Sequence, residues 1–136
     1  MNYEFNNLVL GGTFDHLHKG HKAFLDFAFK IAYKVSIGIT SDKMAKKKDM
    51  NGIEDLEIRL SNLKKWLAKK KYNNRSHIIV INDIFGTTLS DKSLDALLVT
   101  RESIEGGRQI NLKRSQKRMP LLTVLICPLK KGKEHS

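Results

Sequence analysis

Cysteine occurs once, at Cys127, so the chain holds no internal disulfide and no second thiol with which to share a metal. It sits in the apolar run "LLTVLIC" and reads as a small buried side chain. No apolar stretch approaches the roughly 20 residues of a membrane-spanning helix, so no membrane partner is expected. The opening "MNYEFNNLVLGG" lacks a basic region running into a hydrophobic one, so no secretory signal is expected either. Internal repeats, low-complexity segments and linkers are also missing. With 136 residues, 40% of them hydrophobic, the chain suits one domain with a true core. A soluble, cytoplasmic protein is the expectation.

Acidic residues are scarce: 14 against 25 lysines and arginines, a formal charge of +11. Such an excess attracts polyanions, either nucleic acid or phosphorylated small molecules. The lysines fall in "KKK" 46–48, "KKWLAKKK" 64–71 and "KKGK" 130–133. Their spread describes a generally basic surface rather than one recognition stripe. None of the runs is interleaved with stacking aromatics, as a single-strand binder needs.

Hydrophobic periodicity supplies the architecture. "NLVLGG" reads as a buried strand ending at a glycine turn, and "KGHKAFLDFAFKIAY" as a helix with Ala23, Phe24, Phe27, Ala28 and Ile31 on its apolar face. "KVSIGIT" 34–40 is a second strand, followed by a short helix capped by Ser41 or Asp42. Residues 53–70 form an amphipathic helix with Leu56, Leu60, Leu63 and Leu67 along one side. "HIIVIN" 77–82 and "LDALLVT" 94–100 are strands three and four, separated by the loop "IFGTTLSD" 84–91. Residues 102–118 are expected to be helical only in their latter half, since Gly106 and Gly107 weaken the start, and 121–126 is strand five. Alternation at these lengths predicts one α/β domain over 1–136, an open, doubly wound parallel sheet of five strands. In such a sheet, ligands bind beyond the carboxyl ends of the strands, at the switch in strand order.

"GGTFDHLHKGH" stands at such an end. Gly11 and Gly12 permit a tight turn and close backbone approach, and the helix beginning near Lys19 or Gly20 turns its N-terminus toward the same place, an anion site. The spacing is neither G-x-G-x-x-G nor that of a P-loop. What remains is H-x-G-H, with His18 and His21 on one face of the first helical turn. Three readings stay open. The histidines are zinc ligands with His16 or Asp15 as a third, or helix-start caps, or donors that stabilise charge on a transferring phosphate. No H-E-x-x-H or second cysteine supports zinc, and the Gly-Gly-Thr turn beneath two histidines favours phosphate. Asp15 is expected to order the turn through backbone hydrogen bonds, and Arg59 to be structural.

"GTFDHLHKGH" resembles the signature of the HxGH nucleotidyltransferases. "IGITSDKMAKKK", "DIFGTTLSD" and "LLVTRESIEGGRQINLKR" are similar to the archaeal and eukaryotic type of phosphopantetheine adenylyltransferase, from about Leu8 to Ile126. Gly86-Thr87-Thr88 departs from that family's G-P-T, and Arg101 stands where an acidic or small residue is commoner. The resemblance implies Mg²⁺-dependent transfer of adenylyl from ATP to 4′-phosphopantetheine, with release of pyrophosphate. His18, His21 and Thr13 would be catalytic. Gly11, Gly12, Gly20, Thr100 and Glu102 would bind ATP. Thr13 with one or more of Lys46, Lys47 and Lys48 would hold the acceptor phosphate, and no metal ligand is assigned to the protein.

The family continues after strand five with an I-S-S-T-R-I-type segment for the triphosphate. The sequence ends before it at Ser136, so weak nucleotide binding and slow turnover are expected, with Lys130, Lys131 and Lys133 substituting only as mobile charges. A monomer is the expected state. Two rivals remain: adenylyl or cytidylyl transfer to another phosphorylated acceptor such as flavin mononucleotide or glycerol phosphate, and a basic RNA-binding domain on a degenerate nucleotidyltransferase fold. An intact H-x-G-H argues against RNA.

Overall fold

A computed structural model describes residues 2–47 and 52–128. Lys48, Lys130, Lys131 and Lys133 lie outside the described residues. The elements run β1 (Phe5–Gly12), α1 (Lys19–Ile31), β2 (Ala32–Thr40), α2 (Asp42–Ala45), α3 (Leu56–Lys69), β3 (Ser76–Ile81), β4 (Ala96–Val99), α4 (Ile104–Gln116) and β5 (Thr123–Ile126). One-turn 3₁₀ helices precede β3 and α4. All five strands are parallel, in the order β3-β2-β1-β4-β5. The chain winds from β1 out to β3, then crosses back to β4 on the other side. The switch therefore lies between the carboxyl ends of β1 and β4, where the H-x-G-H segment begins.

Period-two alternation sends each strand's apolar residues to both faces. Leu8, Leu10, Val35, Ile37, Ile39, Ala96 and Leu98 pack with Phe24, Leu25, Phe29, Leu63 and Leu67 of α1 and α3. Val9, Leu97 and Val99 pack on the opposite face with Ile110 of α4. Cys127 is buried at the edge of the first cluster, and burial raises its thiol pKa to about 11, so it stays protonated and inert.

Three local expectations are corrected. The buried stripe of α1 is His21, Phe24, Leu25, Ala28 and Phe29, while Ala23 is exposed. The helix starts one turn before its hydrophobic residues, and that phase turns His21 inward. The helix also stops at Ile31 and runs straight into β2. Arg75 makes this junction possible by donating to the carbonyls of Phe29, Ala32 and Tyr33 at 2.6, 2.9 and 2.8 Å. Finally, α4 is helical from Ile104, through both glycines. A Cβ at Gly107 would lie 3.4 Å from both Leu97 Cδ2 and Val124 Cγ1. Close seating of the helix on β4 and β5 outweighs the poor helix propensity of glycine there.

Candidate active site

The turn after β1 is built on two residues in the left-handed region, Phe14 (φ 55°) and His16 (φ 47°). Each costs of order 1–2 kcal/mol, so the surroundings must hold them there. Phe14 is 2% exposed, and its ring lies where a Cβ on Gly12 would come within 3.1 Å. Gly12 is thus the residue that lets Phe14 fold beneath the strand end. The Asp15 carboxylate accepts the Glu54 N–H at 2.8 Å, and Glu54 accepts the His16 N–H at 2.8 Å. Asp15 therefore ties the turn to the segment before α3, a longer-range role than ordering its own turn.

Burial pushes the Asp15 pKa up, but the Glu54 N–H and His16 outweigh it and leave it below the usual carboxylate value. The Asp15 hydrogen bond in turn raises the pKa of His16, whose Nδ1 lies 2.9 Å from the carboxylate.

His18 and His21 cap α1 reciprocally. His18 Nδ1 accepts the Gly20 N–H at 3.1 Å, and His21 Nδ1 accepts the His18 N–H at 3.2 Å. The rings stack with centroids 3.8 Å apart. Because both Nδ1 atoms accept, each neutral ring carries its hydrogen on Nε2. His21 is 6% exposed, and its Nε2 has no partner among the described residues. Burial, with His18 beside it, lowers its pKa to about 4. His21 is thus a neutral, donor-presenting imidazole at physiological pH. Gly20 does not contribute a free N–H, because His18 has taken it; the donors are the Nε2 atoms instead.

The arrangement does not favour zinc, since each Nδ1 accepts a backbone N–H and each Nε2 of the neutral rings carries a hydrogen in place of a free lone pair. Among the described residues, the group close enough to share an ion is Asp15, His16 and Glu54, with ligand atoms within 4.8 Å. Asp15 Oδ1 and Glu54 Oε1 each accept one backbone N–H, which ties the three residues to one another.

Arg59 joins the remaining pieces from α3. It has no accessible surface, and it donates to Glu54 O (2.8 Å), Thr13 O (3.0 Å), Thr40 O (2.8 Å) and Asp42 Oδ1 (3.0 Å). Thr13 Oγ1 accepts from Thr40 Oγ1 at 3.0 Å. Ser41 caps α2 through Met44 N–H, as expected from its position.

A cavity of about 220 Å³ opens at the strand ends, lined by Gly11, Gly12, Thr40, Met44, Ile81, Ile84, Leu97, Leu98, Val99, Ser103, Gly106, Gly107 and Ile110. Gly11 and Gly12 are brought to it as expected. Thr100 stands at the end of β4 and caps the 3₁₀ turn, its N–H donating to Ser103 Oγ at 3.0 Å. Glu102 is exposed on that turn and does not line the cavity, whereas Ser103 does. The Lys46 ammonium is bonded to Asp55, which raises its pKa, and Lys47 is exposed.

Thr40, Met44, Ser103 and Gly106 are lining residues that the motif did not reveal. The only signal for Thr40 and Ser103 was position, at or just past the end of a strand next to the switch.

The cytidylyltransferase-like family model matches residues 9–127. Phosphopantetheine adenylyltransferase of Methanothermobacter thermautotrophicus is 39% identical over 114 residues, covering 84% of this chain and 68% of that protein. Its namesake in Pyrococcus furiosus is 38% identical over 130 residues, covering 95% and 81%. Among solved structures, an Archaeoglobus fulgidus protein of unknown function superposes with a TM-score of 0.80 at 30% identity, over 96% of this chain and 93% of that one. A lipopolysaccharide core biosynthesis protein from Thermoplasma volcanium shares the fold, with a TM-score of 0.71 at 19% identity over 92% and 98%. This chain belongs to the cytidylyltransferase-like family of nucleotidyltransferases.

Proposed function

We propose that the chain transfers the adenylyl group of ATP to the phosphate of 4′-phosphopantetheine, giving dephospho-coenzyme A and pyrophosphate. The observation that carries this reading is the reciprocal H-x-G-H cap at the start of α1 beside the switch point, which holds both imidazole hydrogens on Nε2 and leaves that of His21 without a partner among the described residues. A donor left unsatisfied there costs free energy unless an acceptor arrives, and phosphate oxygens are acceptors only. The names of the archaeal relatives supply the acceptor.

In the step, an acceptor phosphate oxygen forms a bond to the α-phosphorus. The bond from that phosphorus to the oxygen bridging it to the β-phosphate breaks, and pyrophosphate leaves with the electron pair. The nucleophile is already ionised, so no general base is required, and a histidine with a pKa near 4 would be a poor one. His18 and His21 donate Nε2–H to the oxygens on which charge grows, the Thr13 hydroxyl orients the acceptor phosphate, and Gly11 and Gly12 keep the strand end open.

Magnesium enters the reading with ATP. Among the described residues the acidic group with ligand atoms close enough to share an ion is Asp15, His16 and Glu54, and an ion held by phosphates and water needs few ligands from the protein. We therefore derive no step through it.

The test is a pyrophosphate-release screen of ATP and CTP against phosphopantetheine, flavin mononucleotide and glycerol phosphate. ATP with phosphopantetheine should be the fastest pair, and His21→Ala should slow it by about 100-fold or more. Near wild-type turnover by that variant would remove His21 from the mechanism. No release with any pair, together with RNA binding that falls steeply with salt, would replace the reading with an RNA-binding one.

A further inference from the structure

We infer that Thr40 is a positioning residue that fixes the direction in which the Thr13 hydroxyl donates, an inference that rests on the proposed role of Thr13 at the acceptor phosphate. A guanidinium nitrogen is a donor only. Arg59 Nη1 lies 2.8 Å from Thr40 O, 3.0 Å from Thr13 O and 3.4 Å from Thr40 Oγ1. The two Nη1 hydrogens go to the nearer carbonyls, and the guanidinium charge beside the Thr40 hydroxyl turns a lone pair toward Arg59 and the hydroxyl hydrogen away from it. The acceptor it reaches is Thr13 Oγ1, at 3.0 Å.

Thr13 consequently accepts on its Thr40 side, and its own hydrogen is left for a third group. No described residue takes it. Thr40 is 7% exposed at the end of β2 and lines the cavity together with Gly11 and Gly12, the residues just before Thr13. A hydroxyl with one allowed donor direction binds an acceptor-only phosphate without first losing rotational freedom. The chain Arg59, Thr40, Thr13 thus does for the hydroxyl what the reciprocal caps do for the two imidazoles. It turns a group able to donate or accept into one that only donates toward the ligand.

Thr40→Val keeps the side-chain shape and removes the relay. Its kcat/KM for the phosphorylated acceptor should fall about tenfold through the acceptor KM, with the ATP KM unchanged. Thr40→Ser should restore the rate to within about threefold, because it restores the hydroxyl. Thr13→Val should cost more, and the Thr13→Val, Thr40→Val double variant should be no worse than Thr13→Val alone. Additive losses in the double variant, or a serine as impaired as valine, would overturn the relay.

If the wild-type chain releases no pyrophosphate with any acceptor, the proposed function fails. The relay is then decided by calorimetric affinity for inorganic phosphate. Thr13→Val and Thr40→Val should each weaken it, the pair no further than Thr13→Val alone, and unchanged affinity in the two single variants would overturn the relay.

Discussion

Arg59 and Arg114 stand on α3 and α4, helices that pack against opposite faces of the same sheet, and neither has accessible surface. Arg59 sits at the carboxyl ends of β1 and β2, where all three of its nitrogens have partners, one of them the Asp42 carboxylate. Arg114 closes the far edge, donating to Pro120 O at 2.7 Å and Thr88 O at 2.6 Å, while its Nη2 has no partner among the described residues. Burial pulls the Arg114 pKa below the ordinary arginine value. Burying a cation is costly at both places, and the offset differs. At Arg114, carbonyls alone close the 82–95 loop against the approach to β5. At Arg59, the same side chain gathers Thr13, Thr40, α2 and the start of α3, the segments that surround the H-x-G-H turn. A buried arginine is therefore a fastener in both cases, and its location decides whether chemistry depends on it.

The strongest way to break that contrast is to remove each fastener. Arg59→Met strands three carbonyls and a carboxylate, and should cost about 3–5 kcal/mol of unfolding free energy in urea titrations. Arg59→Lys keeps the charge but loses the planar fork. Under conditions where it is folded, it should still lose most of its turnover. If it turns over normally, Arg59 is no more than a fold element and the comparison collapses.

His21 gives the second effect in size, and it is one that neither arginine can produce. Its pKa is near 4 when folded and about 6.5 when unfolded, so between these values the unfolded chain binds more protons. The stabilisation is complete above about pH 6.5 and is lost as pH falls toward 4, by roughly 3 kcal/mol. Melting temperatures measured across pH 4–7 should show this slope, and His21→Phe should flatten it. A slope that survives in His21→Phe would assign it to the carboxylates instead.

Arg114→Met should cost less than Arg59→Met, about 1–3 kcal/mol, because no carboxylate is stranded and an unpaired N–H is removed along with the charge. Activity per folded molecule should stay at the wild-type level. A loss of kcat would show that the far edge reaches the site through the 84–88 loop, whose Thr88 carbonyl Arg114 holds and whose Ile84 lines the cavity.

The sheet was legible because each strand is a short apolar run, four of them stopping at a glycine, threonine or asparagine, and three of the four crossovers carry a helix, the chain passing from β3 to β4 as a loop. The candidate site was placed by the fold, since Gly11, Gly12 and H-x-G-H follow the central strand at the switch in strand order. What sequence could not supply was pairing at a distance. Thr13 and Thr40 are 27 residues apart, and Arg59 meets Thr13 across 46. No local pattern encodes either contact. The phase of α1 was misjudged because a histidine was not counted as core, although His21 is more buried than Ala23.

The two glycines at the start of α4 yield the smallest effect and sharpen the comparison at the site itself. A Cβ on Gly106 would meet nothing within 4 Å, whereas one on Gly107 would lie 3.4 Å from Leu97 and Val124. Alanine is favoured over glycine inside a helix by about 0.5–1 kcal/mol. Gly106→Ala should therefore raise stability by about that amount, and Gly107→Ala by somewhat more, because its methyl group would stand in ordinary van der Waals contact with Leu97 and Val124 and bury apolar surface there. Gly106 also lines the cavity, so its gain in stability should come with a higher substrate KM rather than a lower kcat. Equal gains from the two alanines in denaturant titrations would mean that α4 is not seated tightly enough on β4 for Gly107 to matter. An unchanged KM in Gly106→Ala would mean that substrate does not use that wall. In either case the site would depend less on the β4 side of the switch and more on what Arg59 holds together.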